Sequence, residues 1–189
     1  WRGTSPALLA GVDDPEPSRL CAASADLKPD PAFAGKKIRL FYRTVCLPQN
    51  VGRDLPAIVY LQGGPGGAGP RVLDAQTDGW LAEAVKYFRV VLPDQRGTGR
   101  SSAVDGHRMD QLRKEALACG ADPARLQANY LKRFLADSIV RDFEYLRLTE
   151  FGGARWVTLG QSYGGFHTLC NLSTFPHGVD ASVVGGGIP

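Results

Sequence analysis

Short apolar runs separated by polar and glycine-rich stretches are the main pattern of this chain. Residues 37–47 (KIRLFYRTVCL) alternate and are rich in aromatic and β-branched side chains, which predicts one or two antiparallel strands at a sheet edge. Residues 56–62 (PAIVYLQ) and 88–93 (FRVVLP) are continuously apolar, as is typical of strands covered on both faces. Two more short strands are predicted at residues 156–159 and 182–186.

Helical spacing alternates with these strands. It is visible at residues 80–87 and again at residues 163–174, where Pro176 ends the helix. Ser138 is a suitable N-cap for another helix that runs to about Glu150. The apolar positions of that helix form one stripe, which we expect to be buried: Ile139, Val140, Phe143 and Leu146.

The order of strands and helices after an antiparallel start predicts an α/β fold with a doubly wound, mostly parallel sheet. Residues 1–34 are rich in Pro, Asp, Ser and Ala and lack a sustained period, so we interpret them as a surface arm. Residues 35–189 would form the core portion, with a polar, helix-forming insertion at residues 102–136 near the mouth of the sheet. Functional sites in such sheets lie at the carboxyl ends of the strands.

Composition excludes some functional classes. The 22 basic and 19 acidic residues give a net charge of only +3, which argues against a nucleic-acid or membrane-surface partner. No apolar run reaches 18 residues, and the N-terminal residues do not resemble a secretory signal, so a cytoplasmic location is expected. No pattern indicates a cofactor or a metal.

The four cysteines, Cys21, Cys46, Cys119 and Cys170, are scattered and form no C-x-x-C pair. Free thiols are the favoured interpretation, and a disulfide between Cys21 and Cys46 stays open. Cys170 lies on the expected core side of its helix, where a small buried thiol fits.

The segment Gly160-Gln161-Ser162-Tyr163-Gly164 matches the G-x-S-x-G nucleophile elbow. A strand precedes it and a helix follows it, as this strained turn requires. We therefore predict that Ser162 is a nucleophile and that the N–H of Tyr163 faces a developing oxyanion. The alternative is a glycine-rich turn with a solvated serine.

A glycine-rich loop, residues 62–67 (QGGPGG), follows the third predicted strand, where this type of fold places its second oxyanion donor. Pro65 has no N–H, so Gly64 is the best-placed donor and Gly63 the second. A phosphate-binding loop is disfavoured because no Lys-Ser or Lys-Thr follows and no suitable acidic residue is present.

Asp94 begins a third loop, residues 94–101 (DQRGTGRS), after another buried strand. We expect Asp94 and Arg96 to hold this loop behind the oxyanion loop by a local ion pair and backbone hydrogen bonds. The alternative is that Arg96 binds a substrate carboxylate.

Together, residues 61–70 (LQGGPGGAGP), 94–101 (DQRGTGRS), 137–147 (DSIVRDFEYLR) and 160–166 (GQSYGGF) resemble the proline iminopeptidase family of α/β-hydrolases. The resemblance extends from about Ile58 to the end of the chain. It implies release of an N-terminal proline from peptides by a Ser–Asp–His triad without a metal, with a peptide bearing a free N-terminal proline as the partner. Carried over by position, Ser162 is the nucleophile, and Gly64 and Tyr163 form the oxyanion hole.

The chain departs from the family pattern after the serine, because the acid and then the histidine should follow it. Only His167, His177 and Asp180 do so, and the order of the last two is reversed. His107 lies in the insertion and is also unsuitable. We therefore expect the N-terminal part of a larger hydrolase, with the triad Asp and His, the cap and most substrate-binding residues beyond Pro189.

Three functions stay open. The first is a serine aminopeptidase, represented by a chain that alone has feeble activity. The second is an esterase or a broader aminopeptidase on the same scaffold. The third is a binding module or remnant that kept the fold and lost the triad. Without later strands, the sheet would also expose an edge.

Overall fold

The computed structural model describes residues 4–8, 37–72 and 79–187, which contain a six-stranded sheet with helices on both faces. In chain order the strands are β1 (Thr4–Leu8), β2 (Lys37–Val45), β3 (Ala57–Leu61), β4 (Arg89–Asp94), β5 (Trp156–Gln161) and β6 (Val179–Gly185). The α-helices are α1 (Gly79–Ala84), α2 (Gly106–Ala118), α3 (Pro123–Leu131), α4 (Ala136–Glu150) and α5 (Tyr163–Thr174).

The strands follow the spatial order β1-β2-β4-β3-β5-β6. β4, β3, β5 and β6 are parallel to one another, whereas β2 is antiparallel to β4 and to β1. This confirms the predicted α/β fold with an antiparallel start. All the parallel strands therefore end on one edge, where the glycine-rich loop, the Asp94 loop and Ser162 follow β3, β4 and β5.

The start of the chain differs from the prediction. Thr4–Leu8 form β1, which pairs with β2 over five positions, so this part of the predicted surface arm belongs to the sheet. β2 consequently lies inside the sheet and not at its edge. The cause is a partner strand distant in sequence, which the local pattern of β2 does not reveal. The rest of the predicted arm, with Cys21, lies outside the described residues.

Two apolar clusters cover the two faces of the sheet. On one face, α4 contributes Ile139, Phe143 and Leu146, which pack against sheet residues that include Val59 and Trp156. On the other face, Leu81 and Val85 from α1 and its C-terminal end pack against residues of β3 and β4. Because β3 and β4 are covered on both faces, they have the uninterrupted apolar character seen in the sequence.

Helix α4 begins earlier than predicted. Leu135, with φ −79° and ψ 165°, is the last extended residue, and the helix starts at Ala136 without a side-chain cap. Ser138 is inside the first turn, so its assignment as N-cap is wrong. Ala136 and Asp137 are both buried, and packing of this first turn together with an acidic residue near the helix N-terminus favours the earlier start. The predicted buried stripe is confirmed.

The insertion is helical, as predicted. α2 and α3 begin after Asp105 and Asp122, whose carboxylates accept hydrogen bonds from backbone N–H groups of the first turns. Leu112 and Tyr130 form the buried centre of this pair of helices. Cys170 is buried against α4, also as predicted. No helix in the described ranges combines the length and apolar character needed to cross a membrane.

Candidate active site

Ser162 occupies the sharp turn between β5 and α5. Its backbone has φ 57° and ψ −122°, and among the described residues it is the only non-glycine residue with a positive φ. Its N–H donates to the carbonyl of Gly185 at 2.6 Å, and its own carbonyl accepts from the N–H of Gly165 at 2.9 Å. The side chain is exposed to solvent. A strained backbone conformation held by surrounding hydrogen bonds is typical of a functional serine.

The two glycines of the motif are required by close approach of the main chain. A Cβ on Gly160 would overlap the carbonyl of Gly164 and the hydroxyl of Thr168. A Cβ on Gly164 would overlap the carbonyl of Leu61 at the end of β3. Because these neighbours are mainly backbone atoms, side-chain rearrangement cannot make room. The glycines therefore allow the helix to start directly against the strands that present the serine.

The glycine-rich loop lies against the serine. A Cβ built on Gly63 would be 2.6 Å from the carbonyl oxygen of Gln161 and 3.0 Å from Cβ of Ser162. Gly64 has φ 125°, which favours glycine at this position. In the described part of the chain, neither Gly63, Gly64 nor Tyr163 donates its N–H to a protein acceptor. Their role as oxyanion donors stays a prediction, and the geometry leaves these N–H groups available for it.

The Asp94 carboxylate is hydrogen-bonded to the backbone of the segment that follows β3. One carboxylate oxygen accepts from the N–H of Gly69 at 3.0 Å and from the Arg43 guanidinium at 3.3 Å. The other oxygen accepts from the N–H of Arg100 at 2.8 Å. A single buried carboxylate thus connects the loop after β3, the loop after β4 and strand β2. Loss of this carboxylate would remove the acceptor of the buried N–H of Gly69.

The predicted ion pair between Asp94 and Arg96 is wrong. Arg96 instead makes a buried bidentate pair with Asp142 on α4, with N–O distances of 2.6 and 2.5 Å. Its third bond goes to the carbonyl of Arg133 at 2.8 Å. Burial raises the pKa of Asp142, and the charge and hydrogen bonds of Arg96 oppose that effect. The physical reason for the error is that a long guanidinium reaches across the loop to a helix 46 residues away.

Neither the histidines nor Asp180 complete a triad with Ser162 in the described ranges. His107 contacts Gln111 on the insertion, and His177 is exposed at the far end of α5. Asp180 pairs with Arg155 at 3.0 Å at the start of β6, which is the opposite end of the sheet from Ser162.

His167 is a buried packing residue on α5, five residues after the serine. Its side chain is 0% exposed, and its ring meets that of Tyr163 edge-on at 4.2 Å. Neither ring nitrogen has a hydrogen-bond partner in the described part of the chain. Burial lowers the pKa of His167 to about 4. The residue is therefore neutral at physiological pH and supports α5 through packing.

His167 should make the stability of the chain depend on pH. Its folded-state pKa is below the ordinary value of about 6.5, so the unfolded state binds the proton more tightly. The free energy of unfolding should fall as pH drops from about 6.5 towards 4, by about 3 kcal/mol from this group. Urea unfolding at several pH values would measure the decline.

His167→Leu should remove this part of the pH dependence, because leucine cannot titrate and is similar in volume. His177→Gln, at an exposed position, is the matched control and should retain the wild-type slope. The same slope in His167→Leu and the wild type would contradict the assignment.

Sequence reasoning missed Arg43 and Asp142, which support the two loops. Asp142 is a charged residue within the predicted buried stripe of α4, and this is a signal that could have indicated a buried partner. Arg43 lies in the alternating pattern of β2 and carries no comparable signal. Arg43 bonds to the Asp94 carboxylate, and Asp142 bonds to Arg96.

Comparison with known proteins supports the fold and the family. The family model for the alpha/beta hydrolase fold matches residues 56–187. The chain is 41% identical over 151 residues to a proline iminopeptidase of Aeromonas sobria, covering 80% of this chain and 33% of the relative. It is 36% identical over 157 residues to a proline iminopeptidase of Aspergillus aculeatus, covering 79% of this chain and 32% of the relative.

Among solved structures, a proline iminopeptidase-related protein of Thermus thermophilus superposes with a TM-score of 0.50 at 27% identity. The match covers 78% of this chain and 40% of that one. The chain spans about a third of the length of the two proline iminopeptidases that it matches in sequence. The resemblance to proline iminopeptidases seen in the motifs is confirmed, and the chain belongs to the α/β-hydrolase fold family.

Proposed function

We propose that this chain carries the nucleophile of a serine aminopeptidase that releases N-terminal proline from peptides. The observation that supports this best is Ser162 itself, which is exposed, has a positive φ and lies directly against the glycine-rich loop. The preference for proline rests on the similarity to proline iminopeptidases and not on any pocket of this chain.

In the proposed reaction, Oγ of Ser162 attacks the carbonyl carbon of the N-terminal proline, and a base accepts the hydroxyl proton. The resulting oxyanion accepts hydrogen bonds from the N–H groups of Tyr163 and Gly64, with Gly63 as the second candidate in the loop. The C–N bond then breaks, and the leaving amine takes up the proton. Water hydrolyses the acyl-enzyme, which releases proline and restores the serine.

Among the described residues, no histidine is placed to serve as this base. We propose that an acid and a histidine from the remainder of a longer protein complete the triad, since the match covers only about a third of each relative. Without them, turnover by the chain alone should be lower by about 10⁴- to 10⁶-fold. The mechanism needs no cofactor or metal ion.

The direct test uses the full-length protein with a series of aminoacyl arylamides and an ester. We expect the proline arylamide to give the highest kcat/KM, and we expect a fluorophosphonate to modify Ser162, as located by mass spectrometry of the peptides. The same probe applied to this chain alone should react far more slowly.

Each other outcome points to a different function. Faster cleavage of alanine or leucine arylamides indicates a broader aminopeptidase, and faster cleavage of the ester indicates an esterase. Absence of both turnover and modification at Ser162 in the full-length protein would show that this is a non-catalytic member of the family.

A further inference from the structure

Gln161 has a side chain that the proposed chemistry does not use, although it directly precedes the nucleophile. It lies at the carboxyl end of β5 and is exposed. Gly160 faces the first turn of α5, so Gln161, as the next residue along the strand, lies on the opposite face of the sheet, with α1. Gln161 and Ser162 are consecutive exposed residues at the end of β5.

A two-residue support holds this side chain in place. The Tyr60 hydroxyl donates to Oε1 of Gln161 at 3.2 Å. Tyr60 is 8% exposed, and its ring stacks on Trp80 at 5.1 Å between centroids with an interplanar angle of 26°. Because the phenol is packed on one side and buried by the sheet, its hydroxyl is a fixed donor and sets the rotamer of Gln161.

The amide group of Gln161 has hydrogen-bonding capacity that the protein does not use. A glutamine side chain has one carbonyl oxygen and two N–H donors, and Tyr60 occupies the oxygen. In the part of the chain that the structure describes, Nε2 of Gln161 makes no hydrogen bond to the protein. Its two donors are consequently open to a ligand one residue before the nucleophile, and a carbonyl oxygen of a bound peptide is the complementary group.

We infer that Gln161 is a substrate-orienting residue that donates a hydrogen bond to a peptide carbonyl other than the one attacked by Ser162. This inference rests on the proposed function. Tyr60 and Trp80 are positioning residues that act through Gln161. The ligand group is the main-chain carbonyl of the residue that follows the scissile bond, since a substrate with a free N-terminal residue has no carbonyl on the other side.

This assignment predicts different effects on two substrates that are both attacked at the carbonyl of an N-terminal proline. A proline arylamide has no further carbonyl, whereas Pro-Gly-Gly does. In the full-length protein, Gln161→Met should lower kcat/KM for Pro-Gly-Gly about three- to tenfold, the usual effect of one neutral hydrogen bond. The same variant should leave kcat/KM for the arylamide within about twofold of wild type, because methionine has a similar shape.

Tyr60→Phe tests whether the Tyr60 hydroxyl positions the side chain of Gln161. It keeps the aromatic stack with Trp80 but lacks the donor, so Gln161 can rotate, and cleavage of the peptide alone should fall by a smaller factor. Gln111→Met makes the same substitution at an exposed position on α2 and should leave kcat/KM unchanged for both substrates.

The outcomes distinguish this inference from the proposed function. Equal losses for both substrates in Gln161→Met would indicate a structural or oxyanion role and overturn the inference, as would unchanged cleavage of both. A wild-type protein that cleaves neither substrate would remove the proposed function and this inference with it. A loss confined to the peptide supports both.

Discussion

Ser162→Ala should lower the kcat of the full-length protein for a proline arylamide by about 10⁴- to 10⁶-fold. Oγ is the only heavy atom removed, and in the proposed reaction it forms the acyl bond. Residual turnover would come from the oxyanion donors and from substrate binding alone. Steady-state kinetics with active-site titration of the wild type would measure the loss.

The fold should survive this substitution. Ser162 is exposed, and its observed hydrogen bonds are made by the backbone N–H and carbonyl, which alanine retains. Ser173→Ala, the same change at a half-buried position on the same helix, is the matched control and should keep full activity. Normal turnover in Ser162→Ala would remove the assignment of the nucleophile.

A companion variant tests the strained backbone. Ser162→Gly should also be inactive, yet it should be more stable than Ser162→Ala, because glycine adopts a φ of 57° without strain. Relief of about 1–3 kcal/mol outweighs the extra entropy of glycine in the unfolded chain, which costs about 0.4–1 kcal/mol. Lower stability of the glycine variant would show that the turn is not strained.

Arg96→Met should lower the free energy of unfolding by about 3–5 kcal/mol, which is the largest stability effect that we expect. The substitution leaves the buried carboxylate of Asp142 without its bidentate partner and removes one hydrogen bond to the carbonyl of Arg133. Both members of the pair are about 4% exposed or less, so water cannot replace the lost bonds. Urea denaturation at pH 7 would give the value.

Two further variants show whether the loss in Arg96→Met comes from the unpaired buried charge. Lys86→Met breaks an exposed pair with Glu83 and should leave the unfolding midpoint almost unchanged. The double variant Arg96→Met/Asp142→Leu removes both charges and should recover much of the lost stability, because no uncompensated charge stays buried. If Arg96→Met were as mild as Lys86→Met, the pair would not hold the loop as described.

The parallel sheet and the position of the serine could be predicted because their signals are local. The apolar runs of β3 and β4, and the glycines on each side of Ser162, follow from steric requirements within a few residues. A match of these local signals to one fold class was therefore enough to place Ser162 at the correct edge of the sheet.

Pairings over long distances could not be predicted in the same way. Arg96 has an acidic neighbour two residues away, yet its partner is Asp142 on another element. Similarly, β1 gains its structure from β2, and residues 4–8 alone give little indication of a strand. In both cases tertiary packing decides between partners that the local sequence does not distinguish.

The glycines that surround the serine also restrict how this protein can diverge. Gly63, Gly160 and Gly164 each adjoin main-chain atoms, so even a methyl group there would require the strands themselves to move. Single substitutions at these three glycines are therefore excluded by the main chain around Ser162. Variation near the serine is sterically easier at positions that already carry an exposed side chain, such as Gln161.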